Sequence, residues 1–600
     1  MKNLIANGLR YLSAKMVEDA KSGHPGMPLG FADAMVSVLK QINFDNNDPD
    51  WINRDRLILS CGHGSALLYS CLFGFGILNK EDLKNFRQIN SKTPGHPELS
   101  KGIDLTTGPL GQGFAWGIGM ALAERISNAK YGEIINHNTY IICSDGDLME
   151  GISYEAAAIA GNYNLNKLIV LWDNNKITID GTTELSTSEN MQQRFEAAGW
   201  NFLEVDGNDS NAVENAIIEA KTSNKPNIIS CKTQIGKFSS LEDSPKAHGA
   251  PLGKESFEDL AKKLNYDEQT FLSEFEKISQ NAKRNKEAWD SKWKNNQIKK
   301  DIKIDLNAED LKEDLATRKH SENILKNLIE QNDNLIIASA DLAKSCGTWP
   351  SNGKLISKND YNGNILPCGI REHAMVAITG GITQHGILKG IASTFLSFYD
   401  YARPAVRLAA LMETPLIMIA THDSINLGED GPTHQPIEHL DSLRSMPNLN
   451  VFRPADGIET LYCYKEIMKA KIPSILVLSR EKLNRIHSLE SQVMQIKFEE
   501  NLKNGIIIST GSQAYLAKTI AENTKKAFLS VPLFSKEKLK EIKSPAWIIE
   551  ASSALIWNYL IPQAKIFNIE TFGKSGKEED MKKAFGFTQE ALTKWVKNNS

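Results

Sequence analysis

Short apolar runs that end in small or polar residues recur along the chain, and no other feature restricts its fold as much. Tyr140–Cys143 runs into SDG, Leu168–Trp172 into DNN and Ile228–Cys231 into KT. The pattern resumes with Leu335–Ala338 before SADL, Leu416–Ala420 before THDS and Ile475–Leu478 before SRE. It ends with Ile506–Ile508 before STGS and Trp547–Ile549 before EASS. Stretches of helical length and period separate these runs. Strands that are apolar throughout are buried on both faces, and their alternation with helices predicts α/β layers built on parallel sheets. In such sheets ligands gather outside the carboxyl ends of the strands, which is where these polar motifs fall.

A chain of 600 residues exceeds one hydrophobic core. Two breaks divide it. Between Lys254 and Glu313 the text is Lys-rich with interleaved acids, and it reads as a solvated helical linker. A polar junction follows at Ser488–Asn504. The predicted blocks are 1–315, with the charged linker from about 254, then 316–490 and a smaller 491–600. The net charge of −4 gives no basic field for a nucleic acid or a membrane surface, so a phosphate-bearing ligand would have to meet a local cluster of Arg, Lys and His. No apolar run reaches bilayer length, and the N-terminus lacks the apolar block of a signal peptide. The seven cysteines are scattered, odd in number and never spaced as CxxC, which argues against a disulfide framework or a thiolate zinc site. A cytoplasmic protein is expected.

SDGDLMEG (Ser144–Gly151) and DNNKITIDG (Asp173–Gly181) each follow an apolar run. Asp145 falls at the end of one predicted strand and Asn175 just past the end of the next. A carboxylate, an amide oxygen and a backbone carbonyl there can ligate a hard cation that completes its shell with a diphosphate and water. Gly146 lets the backbone come close, and a helix opening near Ser153 adds N-terminal donors for an anion. Histidines stand beside Gly, Pro or small residues in GHPG (His24), CGHGS (His63), TPGHPE (His96), AHGAPLG (His248), THDS (His422) and THQP (His434). Such neighbours indicate loops, and so many in similar contexts predict a convergent polar pocket. A zinc hydrolase is the rival use of these residues, but the chain has no HExxH. In STFLSFYDYARPAVR, Phe395, Phe398 and Tyr401 recur at i, i+3 and i+6, which by periodicity alone reads as helix core.

The acid-glycine turn followed by a paired Asn resembles the signature of thiamine diphosphate enzymes. TGPLGQG (Thr107–Gly113), SADLAKS (Ser339–Ser345), THDSINLGEDGPTHQP (Thr421–Pro436), RPAD (Arg453–Asp456) and the histidine motifs resemble the transketolase family along almost the whole chain. The resemblance implies two thiamine-diphosphate-binding-fold parallel sheets plus a smaller, shortened C-terminal α/β domain. It implies that Asp145, Asn175 and the carbonyl of Ile177 hold magnesium, or calcium or manganese in its place, on the cofactor's diphosphate. Ser144 and Lys176 stand where the family often has Gly. Glu372 of CGIREHAM matches the glutamate that activates the aminopyrimidine, with His373 and Ala374 replacing a frequent Phe-Gly. His63, Gly108, Leu110, Gly146, Glu150 and His248 fall at cofactor positions, Asp341 matches a thiazolium neighbour, and Phe398 and Tyr401 wrap the aminopyrimidine ring. Glu150 and Glu155 resemble acids that lie between the paired sites of a homodimer.

By the same resemblance His434, His248 and His24 move protons on the sugar oxygens. His96 and Asp430 read donor hydroxyls, and Arg318, Ser345, His422 and Arg453 hold phosphate. Lys344 stands where Pro is frequent. The implied reaction moves a two-carbon ketol unit from xylulose 5-phosphate to ribose 5-phosphate or erythrose 4-phosphate, with the cofactor as electron sink, in the pentose phosphate pathway. The rivals within the same chemistry are a dihydroxyacetone synthase and a deoxyxylulose phosphate synthase-like enzyme. From another class, the rival is a catalytically silent binding subunit of transketolase type.

Overall fold

The computed structural model describes residues 4–293, 302–311, 313–534 and 539–600. Its parallel sheets fall in two compact units: residues 1–298 with 357–362 and 384–387, and residues 299–356, 363–383 and 388–600. The first unit contains β1 (Arg56–Leu59), β2 (Thr139–Ser144), β3 (Leu168–Asn174), β4 (Asn201–Asp206) and β5 (Asn227–Lys232), in the order β1-β2-β3-β5-β4. The second unit contains two sheets. One runs β10-β11-β9-β8-β6-β7, from β6 (Leu335–Ser339), β7 (Ile365–Pro367), β8 (Lys389–Phe395), β9 (Ile417–Thr421), β10 (Asn450–Phe452) and β11 (Ser474–Leu478). The other runs β13-β12-β14-β15, from β12 (Ile506–Ser509), β13 (Ala527–Ser530), β14 (Ala546–Ile549) and β15 (Lys565–Phe567). All pairings within these three α/β sheets are parallel.

Every residue of β2, β3, β6, β9, β11, β12 and β14 is buried, as strands covered on both faces require. The apolar run of each interior strand ends at the sheet's carboxyl edge, and there the polar motifs begin. Ser144 of β2 lies level with Asp173 of β3, so Asp145 and Asn175 leave neighbouring strand ends. Among the described residues no helix is long and apolar enough to cross a membrane. All seven cysteines are buried and unpaired.

Two local expectations change. The charged stretch after Lys254 is not simply solvated: helix Glu268–Trp293 buries Phe271, Phe275, Ala282 and Trp289. A Cβ on Gly8 would lie 2.2 Å from the Phe271 ring and one on Gly74 2.6 Å from that of Phe275, so the helix packs closely against the N-terminal layer. Residues 294–301 and 312 of the same stretch lie outside the described residues. The aromatic triplet is not helix core either. Phe395 ends β8, Leu396–Phe398 is a tight turn, and helix Tyr399–Leu411 begins only after it, leaving Tyr401 66% exposed.

In the second unit, the second and third sheets share a core in which Ile425, Ile437 and Ala455 pack with Ile507, Trp547, Ile549 and Leu592. A buried ion network stands beside it. Glu550 accepts two hydrogen bonds from Arg444 (2.8 and 2.9 Å), one from Trp557 Nε1 (2.6 Å) and one from Thr510 Oγ1 (2.8 Å). Arg453 reaches Glu550 at 3.3 Å and Asp423 at 2.7 Å. Burial alone would raise the Glu550 carboxyl, but the two guanidinium groups and the Trp557 N–H hold it down to about 2.

Removing one partner leaves an uncompensated buried charge, so Arg453→Met should cost about 3–5 kcal/mol. Denaturant titration followed by tryptophan fluorescence measures this, and unchanged stability would show the network to be dispensable. Because Glu550 is held at about 2 against an ordinary 4.5, its ionised form stabilises the protein above pH 4.5 and that contribution fades as the pH falls toward 2. Glu550→Gln should therefore flatten the acid limb of a stability profile in that window.

Candidate active site

The first unit gathers its motifs around one buried carboxylate. Asp147 Oδ1 accepts hydrogen bonds from Ser60 Oγ (2.6 Å) and from the Gly111 N–H (2.9 Å). Its Oδ2 accepts from the Ser144 N–H and Oγ, both at 3.0 Å. Ser60 Oγ in turn accepts from the Phe114 N–H at 2.9 Å. The residue ending β1's apolar run, the TGPLGQG loop and the SDG turn are thereby tied to one point. Asp147 escaped the sequence reading because the acid-glycine signature drew attention to Asp145, two residues earlier.

Asp145 is buried beneath the turn, where Oδ1 accepts from Trp172 Nε1 (3.2 Å) and Oδ2 from the Lys176 N–H (3.1 Å). Burial pushes its carboxyl up to about 7, against the opposing pull of those two donors. Asn175 Oδ1 accepts from the Ile177 N–H at 2.9 Å, and its Nδ2 donates to Asp173 at 2.8 Å. Lys176 adopts φ +59°, the left-handed conformation that glycine takes most easily. Asp145, Asn175 and the Ile177 carbonyl would offer oxygen donors alone, the chemistry that suits a hard divalent cation.

Asp145 lines a cavity of about 450 Å³ with Trp172 and Lys176, whereas a separate cavity of about 360 Å³ opens beside Asn175 and Ile177, lined by His24, His63, His96, Gly108, Leu110, Gly146 and His248 among others. Glycine is needed at its wall: Gly108 has φ +136°, and a Cβ there would lie 3.3 Å from His96. Thr107 Oγ1, next to Gly108, is buried without a hydrogen-bond partner. The close backbone, the orphaned hydroxyl and the oxygen donors fit a diphosphate-bearing cofactor with its metal. Ring centroids separate His24 from His63 by 5.5 Å, from His248 by 5.7 Å and from His96 by 6.1 Å. His63 and His248 are 5.1 Å apart. Burial and the neighbouring imidazoles push His24 down to about 4 and His63 to about 3, and burial lowers His248 and His96. Neutral imidazoles therefore line the cavity at neutral pH. No three of these rings bring nitrogens within 4.8 Å of one another, so among the described residues they do not form a shared metal site. Glu150 is exposed at the start of helix Gly151–Asn162.

In the second unit the predicted residues again follow strand ends. Asp341, exposed with φ +63°, follows β6. Glu372 follows the neighbouring β7 and is the buried first residue of helix Glu372–Gln384. The Phe395 and Phe398 rings stack at 5.6 Å; Phe395 lies 3.8 Å from the His422 ring, and Phe398 meets His434 edge-on at 5.2 Å. Tyr401 stands 6.4 Å from Phe398. Arg318 donates to the Ser345 carbonyl, and its Nε is buried without a partner. His422 is pushed down to about 3 by burial, then by the charges of Arg318 and Arg480 and by His434. Asp430 is exposed on the turn between Gly428 and Gly431.

Arg453, expected at the phosphate, is turned inward. Its side chain is buried, Nε and Nη2 serve Asp423, and the other donors serve Thr510, Glu550, Ser512 and Gln513. No donor is left at the surface for a phosphate. Arg480, two residues past the end of β11, is instead the exposed guanidinium whose charge reaches His422 and Arg318. The signal was present: SRE ends one of the apolar runs, just as THDS and SADL do.

An amide at position 147 cannot accept all four donors, so Asp147→Asn should cost about 1–3 kcal/mol of stability and weaken binding of thiamine diphosphate. Thermal unfolding with and without cofactor checks this, and parental values in both states would remove Asp147 from its organising place.

Residues 1–319 match the family described as "Transketolase, thiamine diphosphate binding domain", and residues 313–485 match "Transketolase, pyrimidine binding domain". The transketolase of Sinorhizobium medicae is 40% identical over 97% of this chain and 92% of its own length. That of Aquifex aeolicus is 39% identical over 99% and 94%. The crystal structure of the Campylobacter jejuni transketolase superposes with a TM-score of 0.92 at 37% identity, covering 99% of both chains. A Pichia stipitis transketolase in complex with sedoheptulose 7-phosphate superposes at 0.89, with 36% identity over 99% of this chain and 96% of that one. With two family matches that together span most of its length, the chain belongs to the transketolase family of thiamine diphosphate-dependent transferases.

Proposed function

We propose that this chain reversibly transfers a two-carbon ketol unit from a ketose phosphate such as xylulose 5-phosphate to an aldose phosphate such as ribose 5-phosphate or erythrose 4-phosphate, in the pentose phosphate pathway. The observation that carries this reading is the cavity of about 360 Å³ that brings four histidines onto the strand ends bearing Asn175 and Gly146. Asp145, Asn175 and the Ile177 carbonyl are assigned to magnesium, for which calcium or manganese can substitute, and Gly108, Leu110 and Gly146 to the diphosphate. Bound thiamine diphosphate supplies the electron sink for breaking the bond beside a ketose carbonyl.

The chain's own residues do the rest. Glu372, a buried carboxylate at a helix start, is assigned to the aminopyrimidine, which Phe398 and Tyr401 would flank. His24, His248 and His434 hold and move protons at the sugar oxygens. The lowered values of His24 and His248 keep these two imidazoles uncharged at neutral pH, so each can donate or accept without leaving a buried cation behind. His96 and Asp430 contact donor hydroxyls. Arg318, Arg480, His422 and Ser345 are assigned to phosphate, because planar guanidinium groups pair with phosphate oxygens through two parallel hydrogen bonds.

A homodimer completes the reading, with active sites at the subunit interface. Supporting it, Ile370 (78% exposed) and Tyr401 (66%) in the second unit, and Leu185 (73%) and Ile179 (70%) in the first, are large apolar side chains left open beside assigned residues. The seven unpaired, buried cysteines support a reducing, cytoplasmic setting.

The test is a coupled assay of xylulose 5-phosphate and ribose 5-phosphate with and without thiamine diphosphate and magnesium. Cofactor-dependent sedoheptulose phosphate is expected, and its absence would overturn the function. Arg480→Gln should raise KM for phosphorylated acceptors about 10- to 100-fold, the range of a charge-assisted hydrogen bond, with little effect on a phosphate-free acceptor. Equal effects on both would remove Arg480 from the phosphate set.

A further inference from the structure

We propose that Arg87 is a positioning residue that decides which nitrogen of His24 carries the proton. Arg87 follows the short helix Lys80–Lys84 and adopts φ +61°, and its N–H donates to the Thr93 carbonyl at 2.9 Å, closing the loop that leads into TPGHPE. Its guanidinium is anchored by Nη1 donating to Ser22 Oγ at 3.0 Å, while Nη2 lies 3.3 Å from His24 Nδ1. A Cβ on Gly95 would sit 3.3 Å from Arg87 Cζ and Nε, so the guanidinium lies against bare backbone.

A guanidinium has donors only and does not lose its proton. Its contact with an imidazole nitrogen is favourable only if that nitrogen offers a lone pair. Nδ1 of His24 is therefore the acceptor, and the proton of the neutral ring resides on Nε2. Protonating the ring would replace the lone pair with an N–H directed at a cation. The charges that act on His24 are those of His248, Arg87 and His96, with His63 5.5 Å away; Asp180 is the acid among the residues lining the same cavity, and it contributes nothing to the lowering of His24. The opposite edge of the ring, with Cδ2 and Nε2, faces the AHGAPLG loop, where a Cβ on Gly249 would lie 3.3 and 3.5 Å from those atoms.

His24 thus enters the reaction as a neutral Nε2–H donor to a sugar oxygen. Loss of Arg87 would free the ring to exchange tautomers and to protonate. The donor role rests on the reading of this cavity as the sugar site; the tautomer does not.

The experiment combines 15N-histidine spectra of the holoenzyme with pH profiles of kcat/KM. The His24 signals are identified by their loss in His24→Gln. Wild-type His24 should show the neutral Nε2–H tautomer down to pH 5 or so, as its lowered value requires. In Arg87→Met the signals should average between tautomers, the acid limb of kcat/KM should move up by about one pH unit, and kcat should fall about tenfold, less than the roughly 100-fold or more of losing a proton donor outright, because the productive tautomer is still populated part of the time. Arg87→Lys, which keeps a cationic donor, should retain the wild-type tautomer and acid limb. A wild-type Nδ1–H tautomer, or a tautomer and acid limb unmoved in Arg87→Met, overturns the proposal. Failure of the sugar-phosphate reading is seen separately, as a wild-type enzyme without ketol transfer whose His24 is still the Nε2–H form.

Discussion

The first unit depends on a charge that never meets solvent. Asp147 has no exposed surface and receives four hydrogen bonds from three separate segments. Burying a carboxylate is unfavourable unless every lone pair finds a donor, so the energetics of Asp147 are met only when all three segments are in place together. This makes the assembly cooperative. The turn that carries Asp145, the loop that carries Gly108 and Leu110, and the strand end that precedes His63 hold their mutual positions through one side chain that lies outside the cavity they form.

The second unit reaches a comparable result by ion pairing. Arg444 and Arg453 converge on Glu550, and Asp423, one residue after His422, closes the network. The loop carrying His422 is tied to this network through Asp423, while the charges of Arg318 and Arg480 reach His422 itself and Arg318 Nε is buried without a partner. Basic residues in the same neighbourhood thus differ in burial: Arg444 and Arg453 are enclosed, whereas Arg318 is half-buried and Arg480 exposed.

Eight apolar runs were legible as strands, and they are interior strands β2, β3, β5, β6, β9, β11, β12 and β14. The strands that escaped are β8 and the six sheet edges, β1, β4, β7, β10, β13 and β15. For two of the edges the reason is physical: an interior strand is covered on both faces and reads as continuous apolar text, whereas β4 (NFLEVD) is half-exposed and β7 (ILP) ends in a proline that an edge tolerates. β8 escaped because KGIASTF packs through small residues: a Cβ on Gly390 would lie 2.5 Å from Thr379. Among site residues, motif glycines and loop histidines were legible because their chemistry is unusual for their position. Arg453 and Arg480 were not separable, since both follow apolar text and only depth distinguishes them. Asp147 was hidden for the opposite reason, as one acid in a run of polar residues.

The TGS and EASS segments of the third sheet acquire a meaning from Gly511. It has φ +53°, and a Cβ there would lie 2.6 Å from Arg453 Cγ, so the Arg453 side chain lies directly on its backbone. Thr510, Ser512 and Glu550 surround the same guanidinium. Within the second unit the third sheet therefore holds Arg453 in a socket, one of several ties to the second sheet's loops alongside Ser553 Oγ donating to Asp441 (2.6 Å) and Gln435 Nε2 donating to the Lys574 carbonyl (2.9 Å). A nonsense or frameshift lesion between Arg480 and Glu550 would strand two cations, Arg444 and Arg453, in the interior and mark the product for proteolysis, even with each residue assigned to the reaction intact.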